Sequence, residues 1–221
     1  NNEPRLTAFQ EIKCHLIFDV KMDFTRKARF VAGGHTTDTP TSLTFSSVVS
    51  RDSVRLAFLI AALNDLNVAC CDIGNAYLNA PCKEKIWFVA GPECGEYNGK
   101  PMILVRALYG LKSSGASWRS MFKEFIEQAL GFANTRVDAD VYRRRNRKDY
   151  VAMSRDEAKT AGAKRPHDGT GVPGSGVEYY ELLLVYVDDV LVISHDPQAV
   201  MKEIGSAFEI KNGETGEPTR Y

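Results

Sequence analysis

Hydrophobic residues occur along this chain in short alternating runs and in helical stripes, separated by polar segments. Residues 14–31 have the pattern of two short strands with a turn near residues 21–25, and a polar loop follows over residues 33–47. Apolar residues spaced three and four apart then predict a helix that Ser50 or Asp52 can cap. Further strands are predicted over residues 67–73, 85–90, 102–106 and 141–142, and further helical segments over residues 75–78, 115–130 and 197–208.

One apolar run, over residues 182–193, contains two adjacent carboxylates, Asp188 and Asp189. Its flanks are rich in Leu and Val and predict two buried strands, with the acids at the turn of a hairpin. Two carboxylates held there repel each other and lose solvation, which is costly without a compensating cation. Mg²⁺ suits this position because it prefers carboxylate and phosphate oxygens. The alternative is an ordinary Asp-containing turn at the solvent end of the hairpin.

Asp72 lies at the end of another apolar strand, over residues 68–73. If this strand neighbours the hairpin, Asp72, Asp188 and Asp189 converge on one edge of the sheet. Three carboxylates at one edge suit phosphoryl transfer with two metal ions. For Asp72 alone, the alternative is an N-cap of the short helical segment at residues 75–78.

The order of strands and helices predicts an α+β fold in which helices cover one face of an antiparallel sheet. Residues 146–177 are polar, basic and rich in Gly, and they predict a long mobile hairpin loop. Because its glycines do not open a helix after a strand, a phosphate-binding loop is not expected there.

Composition narrows the class of protein only slightly. The 221 residues are 44% hydrophobic, which suffices for one large domain or two small lobes. Lys and Arg together number 28, as do Asp and Glu, so global charge does not indicate nucleic-acid binding. A local basic stretch between Arg136 and Arg165 can contact phosphates or be a solvated loop. Five cysteines without a CxxC pair favour a reducing compartment, and no apolar stretch approaches membrane-spanning length, so no membrane is expected.

Six sets of residues, in order along the chain, resemble the reverse transcriptase domain of copia-type LTR retrotransposons. They are Lys27–Ala32; Thr44–Val49 with Ser53–Arg55; Asp72–Asn79; Leu108–Lys112 with Trp118; Gly131–Phe132 with Asp138; and Tyr186–Asp189. Any one of these motifs is weakly specific, but their order and spacing together indicate the family.

The resemblance implies a right-hand polymerase fold. The palm would lie mainly in residues 67–77 and 111–221, and a small fingers subdomain mainly in residues 1–66 and 78–110. We expect the thumb, RNase H and integrase parts of a polyprotein to lie outside this sequence, which lacks an initiator Met. The implied activity is RNA-directed DNA polymerisation on an RNA or DNA template with a primer and dNTPs. An active element would place it in cytoplasmic virus-like particles.

The resemblance also implies site residues. Asp72, Asp188 and Asp189 would hold two Mg²⁺ ions, for which Mn²⁺ can substitute. Other residues would bind substrate, and each has a simpler alternative.

Tyr77 would be a steric gate against the ribose 2′-hydroxyl, or else a core aromatic residue. Lys27 and Arg29 would grip the triphosphate, or else lie on a solvent-facing strand edge. Lys112 would lie beneath the nucleotide and template, and Lys211 would approach the phosphates.

Several positions depart from the family pattern. Gly33 replaces an expected Arg, Ser47 replaces an expected Pro, and Ser113–Ala116 replaces Gln-Ala-Pro-Arg. Each change weakens the grip on nucleotide or template without removing a metal ligand. The alternative function is therefore a catalytically degenerate remnant that binds nucleic acid weakly through its fingers and residues 136–165. Another palm-fold nucleotidyl transferase or cyclase would also use paired acids, but Leu108–Lys112 argues against it.

Overall fold

The computed structural model describes residues 8–22, 24–148 and 177–211. The chain divides into two compact units. The first unit comprises Asn1–Ser46 and Asn75–Phe125, and the second comprises Ser47–Gly74 and Ile126–Tyr221. The assignment of residues to fingers and palm stays a prediction, because compactness alone does not identify a functional subdomain.

The described residues form short strands and helices in both units. The strands are β1 (Gln10–Ile12), β2 (Cys14–Val20), β3 (Arg26–Ala32), β4 (Asn67–Asp72), β5 (Ile86–Val89), β6 (Pro101–Ile103), β7 (Ala133–Asn134), β8 (Val141–Lys148), β9 (Val177–Tyr186) and β10 (Asp189–Ser194). The helices are α1 (Arg51–Leu63), α2 (Ala76–Asn79), α3 (Ser114–Gln128) and α4 (Pro197–Gly205). This mixture confirms the α+β class, and no described helix is long and apolar enough to cross a membrane.

The first unit contains the β2–β3 hairpin and a three-stranded sheet in the order β1–β5–β6. β5 and β6 pair antiparallel, and β1 pairs parallel with β5. The hairpin and the β5–β6 pair confirm the sequence prediction, whereas β1 has only three residues and no alternation that would reveal it. The core of this unit consists of Ile12, Ala32, Ile86, Phe88, Ala90, Leu108 and Leu111.

Gly110 allows the segment before α3 to approach β3 closely. The Ala32 amide donates a hydrogen bond to the Tyr109 carbonyl at 2.8 Å. Gly110 has φ 94°, and a Cβ on it would lie 2.1 Å from the Ala32 carbonyl oxygen. Both the backbone conformation and the space therefore require glycine here. This contact fixes the position of the following residues, Leu111 and Lys112.

The second unit contains a five-stranded sheet in the order β4–β10–β9–β8–β7, and each neighbouring pair is antiparallel. β8 continues to Lys148 and pairs with β9 from Val177, so this hairpin is much longer than the predicted strand at residues 141–142. The ends of the predicted loop at 146–177 are thus strand. Its middle, residues 149–176, lies outside the described residues.

Both faces of the five-stranded sheet carry helices, which differs from the predicted cover on one face. Leu184 and Leu191 pack against α1 on one face. On the other face, Arg144 of β8 donates a hydrogen bond to Glu203 of α4 at 3.0 Å. Glu181, paired with Arg144 across the strands, is 2% exposed and accepts from the Arg144 Nε at 2.8 Å. A buried ion pair therefore occupies the second face at a position that a sequence pattern does not mark as core.

Ser50 caps the N-terminus of α1, which settles the choice between Ser50 and Asp52. The Ser50 hydroxyl accepts from the Ser53 amide at 3.1 Å. Asp138 supports this cap, because its carboxylate accepts from the Ser50 amide at 2.9 Å and from the Ser53 hydroxyl at 2.7 Å. Burial opposes ionisation of Asp138, but these hydrogen bonds outweigh burial and lower its pKa.

Candidate active site

Asp72 and Asp189 lie directly opposite each other on neighbouring strands. β4 ends at Asp72, β10 begins at Asp189, and the antiparallel register pairs the two residues. Asp188 lies in the turn between β9 and β10, and its carbonyl oxygen accepts from the Ile73 amide at 2.8 Å. Residues paired in an antiparallel ladder have side chains on the same face of the sheet. The structure thus brings the three predicted carboxylates to one edge of the second unit's sheet.

The turn that carries Asp188 contains a strained residue. Val187 has φ 59°, in the left-handed region that β-branched residues rarely adopt. The ladder holds this conformation on both sides, since Asp189 pairs with Tyr186 in β9 and with Asp72 in β4. Strain that surrounding structure enforces is concentrated at functional sites. The tight turn keeps consecutive carboxylates at the sheet edge.

Lys211 supplies a positive charge among these acids. Its Nζ lies 2.5 Å from Asp72 Oδ1 and 3.6 Å from Asp188 Oδ2. The backbone places Lys211 there, because Ile73 forms a β-bridge with Ile210 and the Gly74 amide donates to the Glu209 carbonyl at 2.7 Å.

The pKa values of Asp189 and Cys71 show that negative charge is unfavourable at this edge. Burial raises the pKa of Asp189, the negative charges of Asp188 and Asp72 raise it further, and Lys211 opposes the shift. Burial likewise raises the pKa of the Cys71 thiol to about 12. Cys71 is therefore a neutral, buried strand residue that packs as a small apolar side chain.

The donor chemistry of the acidic edge fits a hard divalent cation. Three carboxylates offer the oxygen ligands that Mg²⁺ and Mn²⁺ accept. A bound cation would also reduce the charge repulsion that helps to raise the pKa of Asp189. In this structure, the Lys211 ammonium lies beside Asp72 and Asp188 and supplies the positive charge there. No three His, Cys, Asp or Glu side chains in residues 8–22, 24–148 and 177–211 are arranged to hold a metal ion.

The alternative role of Asp72 as a helix cap does not hold, because Asn75 occupies the N-cap position of α2. Tyr77, in α2, belongs to the first unit and is half-buried. Its ring centroid lies 4.6 Å from that of Tyr109, with the rings tilted by 47°. This contact orients Tyr77 without making it a fully buried core residue.

The predicted phosphate-binding cations also belong to the first unit. Lys27 and Arg29 lie in β3 and are partly exposed. An Arg29 nitrogen lies 3.9 Å from the Asp19 carboxylate on β2. The Lys112 ammonium donates to the Thr37 carbonyl at 2.5 Å. The proposed substrate roles of these three residues stay predictions.

The residues that depart from the family pattern have structural partners. The Ser113 amide and hydroxyl donate to the Glu84 carboxylate at 2.9 and 2.6 Å. The Ser114 hydroxyl accepts from the Leu108 amide at 3.1 Å and donates to the Leu108 carbonyl at 2.7 Å. The two serines thus fix the start of α3. Sequence analysis did not identify Glu84, because nothing local marks an acid that contacts a segment 29 residues away.

Ser47 has a comparable contact in the second unit. Its hydroxyl donates a short hydrogen bond to the Asp140 carboxylate, and Asp140 is 2% exposed. The Asp140 carbonyl accepts from the Val185 amide at 3.0 Å, close to the β9–β10 turn. Serine at position 47 therefore satisfies a buried carboxylate, and this pairing was not visible in the sequence.

The fold and site define an α+β domain with a cluster of carboxylates at one sheet edge. A family model described as reverse transcriptase (RNA-dependent DNA polymerase) matches residues 8–158. The chain therefore belongs to the reverse transcriptase family, as the ordered motifs predicted.

Curated relatives point to the same kind of element. The chain is 36% identical over 127 residues to the Transposon Ty1-DR4 Gag-Pol polyprotein of Saccharomyces cerevisiae, covering 57% of this chain and 8% of that protein. The Transposon TyH3 Gag-Pol polyprotein, also of Saccharomyces cerevisiae, matches with the same identity over 57% of this chain and 7% of its own length. The matched segment is therefore a small part of each relative. These copia-type relatives confirm the resemblance to a retrotransposon polyprotein.

Proposed function

We propose that this chain is the RNA-directed DNA polymerase domain of a copia-type retrotransposon. The observation that carries the proposal is the register that sets Asp72 opposite Asp189, with Asp188 in the adjoining turn. At this edge burial and mutual repulsion raise the pKa of Asp189, and perturbed carboxyl pKa values are concentrated at functional sites. The substrates would be dNTPs and a primer on an RNA or DNA template.

The three aspartates would hold two Mg²⁺ ions, or Mn²⁺ in their place. When bound, the ions would lower the pKa of a primer 3′-hydroxyl and neutralise charge on the triphosphate. The protein's part is to hold the carboxylate oxygens close together through the β4–β10 ladder and the strained turn at Val187. Lys211 would leave Asp72 when cations bind there.

Residues of the first unit would select and hold the nucleotide. Lys27 and Arg29 would contact the triphosphate, and Lys112 would support the nucleotide and template. Tyr77, held against Tyr109, would exclude a ribose 2′-hydroxyl. The thumb, RNase H and integrase parts of a polyprotein would complete the enzyme in cytoplasmic virus-like particles.

Primer extension tests this function. The chain, joined to the thumb of a copia-type polyprotein, is given an RNA template with an annealed DNA primer, dNTPs and Mg²⁺, and extension is measured on a gel. We expect extension by the wild type and a loss of at least about a hundredfold in Asp188→Asn. Asp52→Asn is the matched control, because Asp52 is an exposed carboxylate on α1 whose side chain is 89% exposed. No extension by the wild type, or equal extension by Asp188→Asn, contradicts the proposal.

A degenerate remnant is the second candidate, and the structure offers one observation in its favour. Ser113 and Ser114 direct their hydroxyls to Glu84 and to the Leu108 backbone, so they are engaged within the protein where the family has Gln and Ala. This candidate predicts binding of a primer–template without extension. The same assay therefore separates the two functions when binding is measured beside it.

A further inference from the structure

A cleft of 360 Å³ opens on the sheet of the second unit, beside the C-terminal end of α1. This volume lies within the range of known ligand sites. Its walls combine apolar side chains from α1 and β9 with an aromatic ring and a guanidinium. The lining includes Ile60, Leu66, Arg143, Tyr180, Leu182 and one acidic residue, Glu178.

The cleft lies on the same face of the sheet as the acidic edge but far from it. Leu184 and Leu191 both pack against α1. Side chains two or four residues apart on a strand share a face, so Tyr180 and Asp189 lie on this α1 face as well. Asp189 pairs with Tyr186, and the six residue steps along β9 from Tyr186 to Tyr180 span about 20 Å. The cleft is therefore a separate site, and the proposed catalytic function does not use it.

Arg143 and the exposed Tyr180 line the cleft, and Arg145 lies beside Tyr180 at its rim, outside the lining itself. Tyr180 is 40% exposed. The guanidinium carbons of Arg143 and Arg145 lie 5.1 and 5.8 Å from the centre of its ring. The Arg145 Nε donates to the Tyr180 hydroxyl at 3.1 Å, which lowers the pKa of that hydroxyl. Within the described part of the chain, neither guanidinium forms an ion pair with a carboxylate. The hydrogen bond to Tyr180 raises the pKa of Arg145, and the nearby negative charge of Glu178 raises it further.

We propose that this cleft binds a segment of single-stranded nucleic acid, with a base against Tyr180 and phosphates on Arg143 and Arg145. An exposed aromatic ring flanked by cations is the combination that binds single strands, because every base can stack and every linkage is anionic. A duplex does not fit as well, since its bases are already stacked on one another. The choice of nucleic acid as the ligand rests on the proposed function, whereas the cleft and its charge do not.

Fluorescence anisotropy with the whole chain and a labelled single-stranded oligothymidylate tests the proposal. Measurements are made in EDTA over a range of NaCl concentrations. We expect Arg143→Gln and Arg145→Gln each to reduce the slope of log K against log salt by about 0.7, the value for one phosphate contact on a single strand. Lys202→Gln is the control, because Lys202 is an exposed cation on α4, on the opposite side of the sheet.

Tyr180 variants separate stacking from charge. Tyr180→Ala should weaken binding of the oligothymidylate about tenfold, whereas Tyr180→Phe, which keeps the ring, should bind within about twofold of the wild type. Binding of a blunt DNA duplex should not depend on the Tyr180 ring. Equal effects of the arginine variants and Lys202→Gln, or unchanged binding by Tyr180→Ala, would overturn the proposal. Displacement of the oligonucleotide by an oligoglutamate of equal charge, with the same dependence on Tyr180, would overturn it in favour of an acidic peptide.

Failure of this proposal is distinguishable from failure of the polymerase function. Binding in EDTA needs no catalysis, so Asp188→Asn should bind the oligothymidylate like the wild type. A chain that binds through Tyr180 but extends no primer supports the cleft and contradicts catalysis. The opposite result is a chain that extends a primer equally well with and without Tyr180 and shows no binding that depends on Tyr180. That result supports catalysis and contradicts the cleft.

Discussion

Removal of the Lys211 charge should make the acidic edge bind divalent cations more tightly. Lys211→Met keeps the length of the side chain but removes the ammonium that lies 2.5 Å from Asp72 and 3.6 Å from Asp188. In the wild type, a cation must displace this ammonium before it reaches the Asp72 oxygen. In the variant nothing described competes for that oxygen, so the free energy of displacement is saved.

The size of the effect follows from the exposure of the pair. The Lys211 and Asp72 side chains are 37% and 41% exposed, so water screens their attraction. Ion pairs of this kind contribute at most about 1 kcal/mol, in spite of the short distance. A contribution of about 0.5–1 kcal/mol corresponds to a dissociation constant for Mn²⁺ that is about two- to fivefold lower in Lys211→Met. Without metal, the variant should lose a similar amount of stability, because the three carboxylates then lack their described counter-charge.

Electron paramagnetic resonance of free Mn²⁺ measures the affinity, and thermal unfolding in EDTA and in Mn²⁺ measures the stability. Lys202→Met controls for the loss of a surface lysine on α4. Asp72→Asn in the Lys211→Met background should abolish the gain, because it removes the oxygen that was freed. Equal or weaker Mn²⁺ binding by Lys211→Met would refute the idea that this lysine and a metal ion compete for one position.

Three further predictions address the nucleotide gate, the acidic edge and the sheet core. Tyr77→Ala should raise incorporation of ribonucleotides relative to deoxynucleotides in primer extension, whereas Tyr77→Phe should preserve the discrimination. Unchanged selectivity in Tyr77→Ala would show that Tyr77 only packs against its neighbours. Asp189 has a raised pKa in the folded state, so its ionisation destabilises the metal-free protein as pH rises above the ordinary carboxyl range. Asp189→Asn should therefore be more stable than the wild type at pH 7 in EDTA and show a smaller loss of stability from pH 4 to pH 7 in urea unfolding; a less stable variant would contradict this sign. Arg144→Met should cost about 3–5 kcal/mol in urea unfolding, because it leaves the buried Glu181 unpaired. Adding Glu181→Leu should recover part of that loss, and no recovery would show that the arginine acts mainly through its other contacts.

Local periodicity was sufficient to predict most elements of this fold. The β2–β3 hairpin, α1, α3 and the β9–β10 hairpin all have apolar spacing that matches their observed structure. Gly131 follows α3 with φ 71°, the left-handed conformation in which glycine commonly ends a helix. These elements depend on interactions between residues close in sequence, which a linear pattern records.

Contacts between distant segments were less predictable, and β8 illustrates why. Only Val141 and Tyr142 have apolar character, so the pattern predicted a two-residue strand. The strand continues to Lys148 because Arg144 fills its place on the sheet with a salt bridge to Glu181. Charged residues normally lie in solvent, and only the contact with Glu181 across the sheet shows that Arg144 is half-buried.

The acidic edge depends both on a local pattern and on a contact between distant residues. The sequence posed an electrostatic problem, two carboxylates in an apolar hairpin, and predicted that a cation would solve it. The β4–β10 register sharpens the problem by setting Asp72 opposite Asp189. The described structure solves it with Lys211, which no local pattern connects to Asp72, because they are 139 residues apart. The metal ions of a polymerase would therefore neutralise the same carboxylates that Lys211 neutralises in this structure. The difference in Mn²⁺ affinity between the wild type and Lys211→Met measures the free energy that exchanging Lys211 for a metal ion costs.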